Sequence, residues 1–213
     1  MTTVALFLEY FEIKLKDCLD KNALSNTMKV KIVVEIAQAM SYIHQKGLNH
    51  RDLKVDNIMI DSQWSIKLID FGLVSIDQFL NSNYSLTAKS MTKGVGTLPF
   101  MSPEMLNEED SDEKTDVYSF RIVLFYIFFG NLPNYTMKDK MIGKLIRLPK
   151  PSTNISQFCL DLISKCTEND PSDRPSFNQI LKIIRKNDYC LAIDIDESII
   201  SERDQELERI KSK

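Results

Sequence analysis

His50, Arg51, Asp52, Leu53, Lys54, Val55, Asp56 and Asn57 place carboxylates, cations and an amide in one short run, and Asp70, Phe71 and Gly72 follow soon after. Asp70 offers a hard carboxylate oxygen and Asn57 an amide oxygen, the donor types that Mg²⁺ accepts. Taken singly, an Asp, Asn or Lys in a loop is ordinarily a turn former or a solvated charge. Only the joint occurrence and order of these residues raise them to candidate site residues.

The run HRDLKVDN resembles the catalytic loop of protein kinases. A chance match at six specified positions would arise on the order of once in a hundred thousand chains of this length at average residue usage, so coincidence is a poor explanation. Asp70, Phe71 and Gly72 resemble the family's metal-binding DFG element, and the stretch ending Ser102, Pro103, Glu104 resembles its APE segment with Ser102 in place of alanine. Asp116, Tyr118 and the Asp170 to Ser176 stretch extend the similarity, which is nearest to the tyrosine-kinase-like group of serine/threonine kinases. Three ordered motifs weigh far more than one.

The resemblance implies ATP and Mg²⁺ as cofactors and a protein serine or threonine as acceptor. Phosphoryl transfer is mostly charge neutralisation and positioning of an incoming hydroxyl. By resemblance, Asn57 and Asp70 are the metal ligands, Asp52 orients or accepts the hydroxyl proton, and Lys54 sets a positive charge beside the transferred phosphate. Lys54 and Thr97 resemble serine/threonine rather than tyrosine specificity. The backbones of Glu9 and Phe11 would hold adenine, with Met59 and Ile69 lining its pocket. His50 is expected to support the loop rather than to exchange protons, and His44 to be a surface or packing residue. Asp116 would anchor the loop backbone, and Glu104 would pair with Arg174. Arg51 beside Asp52 resembles kinases controlled by phosphorylation, with Thr87, Ser90 and Thr92 as candidate acceptors for a regulatory kinase or autophosphorylation.

These residues need elements to hold them. Val4 to Tyr10 is an aliphatic and aromatic run that reads as a strand at the hinge, followed by weak helical character from Glu12 to Lys21. From Thr27, a candidate N-cap, Val30, Val33, Ala37, Met40 and Ile43 recur at helical spacing until Gly47 ends the helix. Asn57 to Ile60 and Ile66 to Ile69, around the turn at 61–64, read as a hairpin. The stretch from Phe71 to Pro103 lacks periodicity, and loops of that length are usually functional or disordered. Helices are expected over Lys114 to Phe129 with Gly130 as stop, Met137 to Ile146, Ile155 to Cys166 and Ser176 to Lys186. The tail from about Asp194 mixes both charges and reads as a solvated helix.

The fold class is therefore α+β, mostly α: a kinase-like C-terminal lobe with a remnant hinge strand. The domain division is 1–187 for the kinase region and 188–213 for a charged helical tail. Apolar residues at 43% and charged residues at 27% are ordinary for a globular chain, and a net charge of −3 gives no basic footprint for nucleic acid or anionic lipid. Cys18, Cys159, Cys166 and Cys190 show neither metal-ligand spacing nor a disulfide framework, so free thiols and a cytoplasmic setting are expected. Ile122 to Phe129 is too short to span a bilayer and reads as a buried helix.

Two departures from the family stand out. The glycine-rich loop, strand lysine and partner glutamate that precede the hinge in kinases are not in this sequence, so weak ATP binding and little transfer are expected of this polypeptide alone. Arg121 occupies a position where the family usually has glycine, and must either snorkel outward or meet a carboxylate. The alternative reading is a non-catalytic, pseudokinase-like binding module.

Overall fold

The computed structural model describes residues 9–71, 75–76, 98–107, 112–134, 136–141, 148 and 155–211. Glu9 to Glu12 run without regular structure, with Tyr10 82% exposed, into a short strand β1 (Ile13–Lys14) and helix α1 (Leu15–Asp20). The strand expected over Val4 to Tyr10 lies mostly outside the described residues, and its last two positions are not in a strand.

Helix α2 (Asn26–Gln45) is the central post. Its N-cap is Ser25, whose hydroxyl accepts from the Met28 amide, rather than the expected Thr27. Both residues are good caps. Thr27 instead uses its hydroxyl to accept from the Asp196 amide, a partner far away in sequence. Val30, Val33, Ala37 and Met40 are fully buried, and each aliphatic side chain of this kind contributes about 1.5–3 kcal/mol on burial. Gly47, at φ +70°, closes the helix by donating to the His44 carbonyl.

The chain then forms β2 (Leu48–Asn49), passes through the candidate loop, and enters the hairpin of β3 (Ile58–Ile60) and β4 (Ile66–Leu68). β1, β3 and β4 make one antiparallel sheet in that order, with Lys14 opposite Met59 and Ile58 opposite Leu68. The hairpin turn is held by Asp61, whose carboxylate accepts from the amides of Gln63 and Ser65. β5 (Ser75–Ile76) pairs antiparallel with β2.

Helix α3 (Pro103–Leu106) is capped by Ser102, whose hydroxyl accepts from the Met105 amide. Alanine could not make that cap. Helix α4 (Lys114–Phe129) is buried nearly throughout and ends at Gly130, φ +73°. Among the described residues no helix is long and apolar enough to cross a membrane. Helix α5 (Met137–Met141) covers the start of the expected 137–146 segment, whose remainder lies outside the described residues. Helix α6 (Gln157–Lys165) is capped by Ser156, and α7 (Phe177–Lys186) by a reciprocal box between Ser176 and Gln179.

Arg121 does not snorkel outward. It is fully buried, with its guanidinium 4.3 Å from the Tyr118 ring centroid, a cation–π contact with the electron-rich face. The tail expectation also needs correction. Helix α8 (Glu197–Lys211) forms, but it is docked on α2 and hydrogen-bonded to Arg185 of α7 rather than solvated, burying Ile200 and leaving Asp204 only 2% exposed.

Candidate active site

The site is assembled where α2 delivers the chain to a loop that could not hold its shape unaided. Arg51 sits at φ +63°, a left-handed conformation unfavourable to any residue with a Cβ, so something must compensate. Asp116, in the first turn of α4 and fully buried, does so. Its two carboxylate oxygens accept from the His50 and Arg51 amides, both at 2.8 Å. His44 completes this anchor, with its Nε2 2.9 Å from Asp116 Oδ2 and its ring edge-on to Phe177. Sequence reasoning placed His44 merely at the surface or in packing, since nothing local links it to a residue 72 positions later.

His50 is fully buried, accepts from the Asp52 amide through Nδ1, and lies 4.9 Å from the Phe71 ring. It thus joins the loop to the residue following Asp70, a supporting role.

Asp52 is buried and asymmetric. Oδ2 accepts from Lys54 Nζ at 2.7 Å and from Asn57 Nδ2 at 2.9 Å, whereas Oδ1 is buried with no hydrogen-bond partner among the described residues. A buried, unpaired carboxylate oxygen is costly unless a ligand group completes it. Asn57 also donates from Nδ2 to the Asp52 carbonyl, so its amide hydrogens are both committed to Asp52 and its oxygen retains acceptor capacity for a cation.

Asp70 is tied to Asn57 through the backbone. The Ile69 amide donates to the Asn57 carbonyl at 3.0 Å, and Asp70 follows at φ +63°, exposed to solvent. Met59 is buried on β3 and Ile69 half-buried beyond β4. Glu9 is exposed and Phe11 half-buried, in the stretch leading to β1, whose Lys14 pairs with Met59. The structure thus brings Asp52, Lys54 and Asn57 into direct contact and links Asp70 to them by one residue. Gly72, Thr87, Ser90, Thr92 and Thr97 lie outside the described residues.

The set is chemically suited to Mg²⁺. Among the described residues no group of three or more His, Cys, Asp or Glu side chains could hold a metal alone. Mg²⁺ does not need one, because it commonly takes one or two protein oxygens with phosphate and water supplying the rest.

Below the loop, Glu104 and Arg174 form a buried bidentate pair, at 2.6 and 3.0 Å, that ties α3 to the turn before α7. This is the pairing that the sequence led us to expect.

Residues 1–183 match the family described as Protein kinase domain, and the chain belongs to that family. Its relatives include a probable serine/threonine-protein kinase, kinX, of Dictyostelium discoideum, 36% identical over 75% of this chain and 14% of the relative. Another is the probable serine/threonine-protein kinase SIS8 of Arabidopsis thaliana, 33% identical over 78% of this chain and 16% of the relative. A third is the human receptor-interacting serine/threonine-protein kinase 1, 35% identical over 71% of this chain and 25% of the relative. The chain spans a quarter or less of the length of each of these proteins.

Proposed function

We propose that this chain is the catalytic lobe of a serine/threonine protein kinase, in which Asp52, Lys54, Asn57 and Asp70 perform ATP-dependent transfer to a protein hydroxyl. The observation that carries the reading is Asp52, with one oxygen held by two donors and the other buried and unpartnered.

Bound ATP and Mg²⁺ supply the phosphoryl group and much of the neutralisation of its charge. Asn57 and Asp70 are the metal-holding residues, contributing an amide and a carboxylate oxygen. Asp52 uses its unpartnered oxygen to orient the acceptor hydroxyl and take its proton, while Asn57 and Lys54 hold the other oxygen and so fix the carboxylate plane. Lys54 also brings a cation beside the transferred group. Met59 and Ile69, with the backbones of Glu9 and Phe11, would line the adenine site. Phosphate on Thr87, Ser90 or Thr92 would pair with Arg51, whose Nε is buried without a hydrogen-bond partner among the described residues. Residues 1–187 form the kinase unit and 188–213 its tail, in a reducing cytoplasm that suits four free thiols.

The test has two readouts. Mn²⁺ in the presence of ADP should broaden the resonances of Asn57 and Asp70, and Asp70→Asn should abolish this. Transfer to a serine-containing protein should fall about a hundredfold in Asp52→Asn. A folded chain with neither effect would sink the proposal and leave a non-catalytic binding module.

A further inference from the structure

The C-terminal helix reaches the β3–β4 hairpin through one side chain, that of Arg203. α8 is secured by Asp204, which accepts from Arg185 at 2.6 and 2.7 Å, from the Tyr189 hydroxyl at 2.8 Å and from the Gln38 side-chain amide. The approach to the helix is fastened as well, since Asn26 donates to the Ile193 carbonyl and Thr27 accepts from the Asp196 amide. This anchoring delivers the neighbouring Arg203 to the β3–β4 hairpin.

Arg203 donates from Nε to Glu35 Oε1 at 2.9 Å and from Nη2 to Ser65 Oγ at 2.8 Å. Glu35 is buried on α2, and its other oxygen accepts from the Ile66 amide at 2.8 Å. The start of β4 is therefore gripped by a guanidinium on one residue and a carboxylate on the next. Lys31, also on α2, donates to the Trp64 carbonyl and lies 3.7 Å from Glu35, so Glu35 keeps a cation if Arg203 is removed. The far ends of the same hairpin are the two metal-holding positions: Asn57 immediately precedes β3, and Ile69, just beyond β4, donates to the Asn57 carbonyl before the chain reaches Asp70. A three-residue strand is a short, stiff lever, about 10 Å long at 3.3 Å per residue.

We propose that Arg203 is a positioning residue for the Asn57–Asp70 pair, acting through Ser65 and Glu35 on β4, so that docking of α8 sets the metal site. This rests on the reading of Asn57 and Asp70 as metal-holding residues. The C-terminal helix is then part of the working unit, not an appendage to it.

The experiment compares wild type, Arg203→Ala and Ser65→Ala in the whole chain. Amide hydrogen exchange is followed at Ile66, at Ile69 and along α4, together with the Mn²⁺ concentration that half-broadens Asn57 and Asp70 in the presence of ADP. Charge-assisted hydrogen bonds of this kind predict exchange at Ile66 and Ile69 faster on the order of tenfold in Arg203→Ala, with α4 unchanged and the Mn²⁺ midpoint raised about three- to tenfold. Ser65→Ala, which leaves the Arg203–Glu35 pair in place, should move the same quantities less. Faster exchange at Ile66 with Ile69 and the Mn²⁺ midpoint unmoved would overturn the proposal, as would an equal loss of protection along α4. If Mn²⁺ broadens nothing even in wild type, the metal-site reading fails by itself, and the proposal that rests on it falls with it.

Discussion

Removing the Glu104 carboxylate is the sharpest test of how the lobe is held together. Arg174 is 1% exposed, and Glu104 meets it with two hydrogen bonds, at 2.6 and 3.0 Å. Arg174 also donates to the carbonyls of Glu168 at 2.8 Å and Lys114 at 3.2 Å. Glu104→Ala forfeits two charge-assisted hydrogen bonds, each worth about 1.5–3 kcal/mol, while the carbonyls continue to solvate the stranded cation in part. The expected loss is about 3–5 kcal/mol, the range for breaking a buried pair from one side. For a domain of this size that lowers the melting temperature on the order of 10 °C. Arg174→Ala should cost at least as much, because it strands a buried carboxylate and deprives those carbonyls of their donor. Urea unfolding of both single variants and the double variant completes the cycle, and the double should be less destabilised than the sum by roughly 2 kcal/mol. A loss under about 1 kcal/mol for Glu104→Ala, or singles that add, would refute the reasoning.

Three further outcomes are expected. Burial opposes ionisation of Asp204, but hydrogen bonds from Arg185 and Tyr189 outweigh it and hold its carboxyl below the ordinary value. Its contribution is therefore present above the unfolded value of about 3.9 and lost as pH falls through the folded one. Protection of α8 amides should weaken below about pH 4, and Asp204→Asn should remove that step; an unchanged acid profile would refute the assignment. Burial pushes the Cys159 and Cys166 thiols up to about 12, so an alkylating reagent at pH 8 should modify exposed Cys190 quickly and these two only after unfolding. Arg121→Ala removes a cation–π contact worth about 2 kcal/mol when desolvated and leaves the space of a long, fully buried side chain unfilled. It should lower stability by at least about 2 kcal/mol, and a loss under about 1 kcal/mol in urea unfolding would contradict this.

Arg121 and Arg174 show why burial of a charge is not legible from residue type. Both guanidiniums lie over the Tyr118 ring, 4.3 and 5.1 Å from its centroid, and Arg174 also meets the Glu104 carboxylate. What meets each of them depends on what folds against it. The same holds for the N-terminus of α2, where Ser25 and Thr27 have equal local claims and a distant amide at Asp196 takes Thr27 away. His44 is the clearest omission, because its partner Asp116 enters only when α4 packs beside α2.

What the sequence determined by itself is whatever depends on near neighbours along the chain. The loop chemistry of Asp52, Lys54 and Asn57 is written within six residues, and the stops at Gly47 and Gly130 follow from the left-handed backbone that glycine tolerates. Tertiary structure alone decided the fate of the tail. Interspersed charges on α8 match a solvated helix in every local respect, but Asp204 finds its donors at positions 38, 185 and 189, and Arg203 finds Glu35 and Ser65. A charge is stable in the interior only where counter-charges and donors from elsewhere meet it, and that meeting has no local signature.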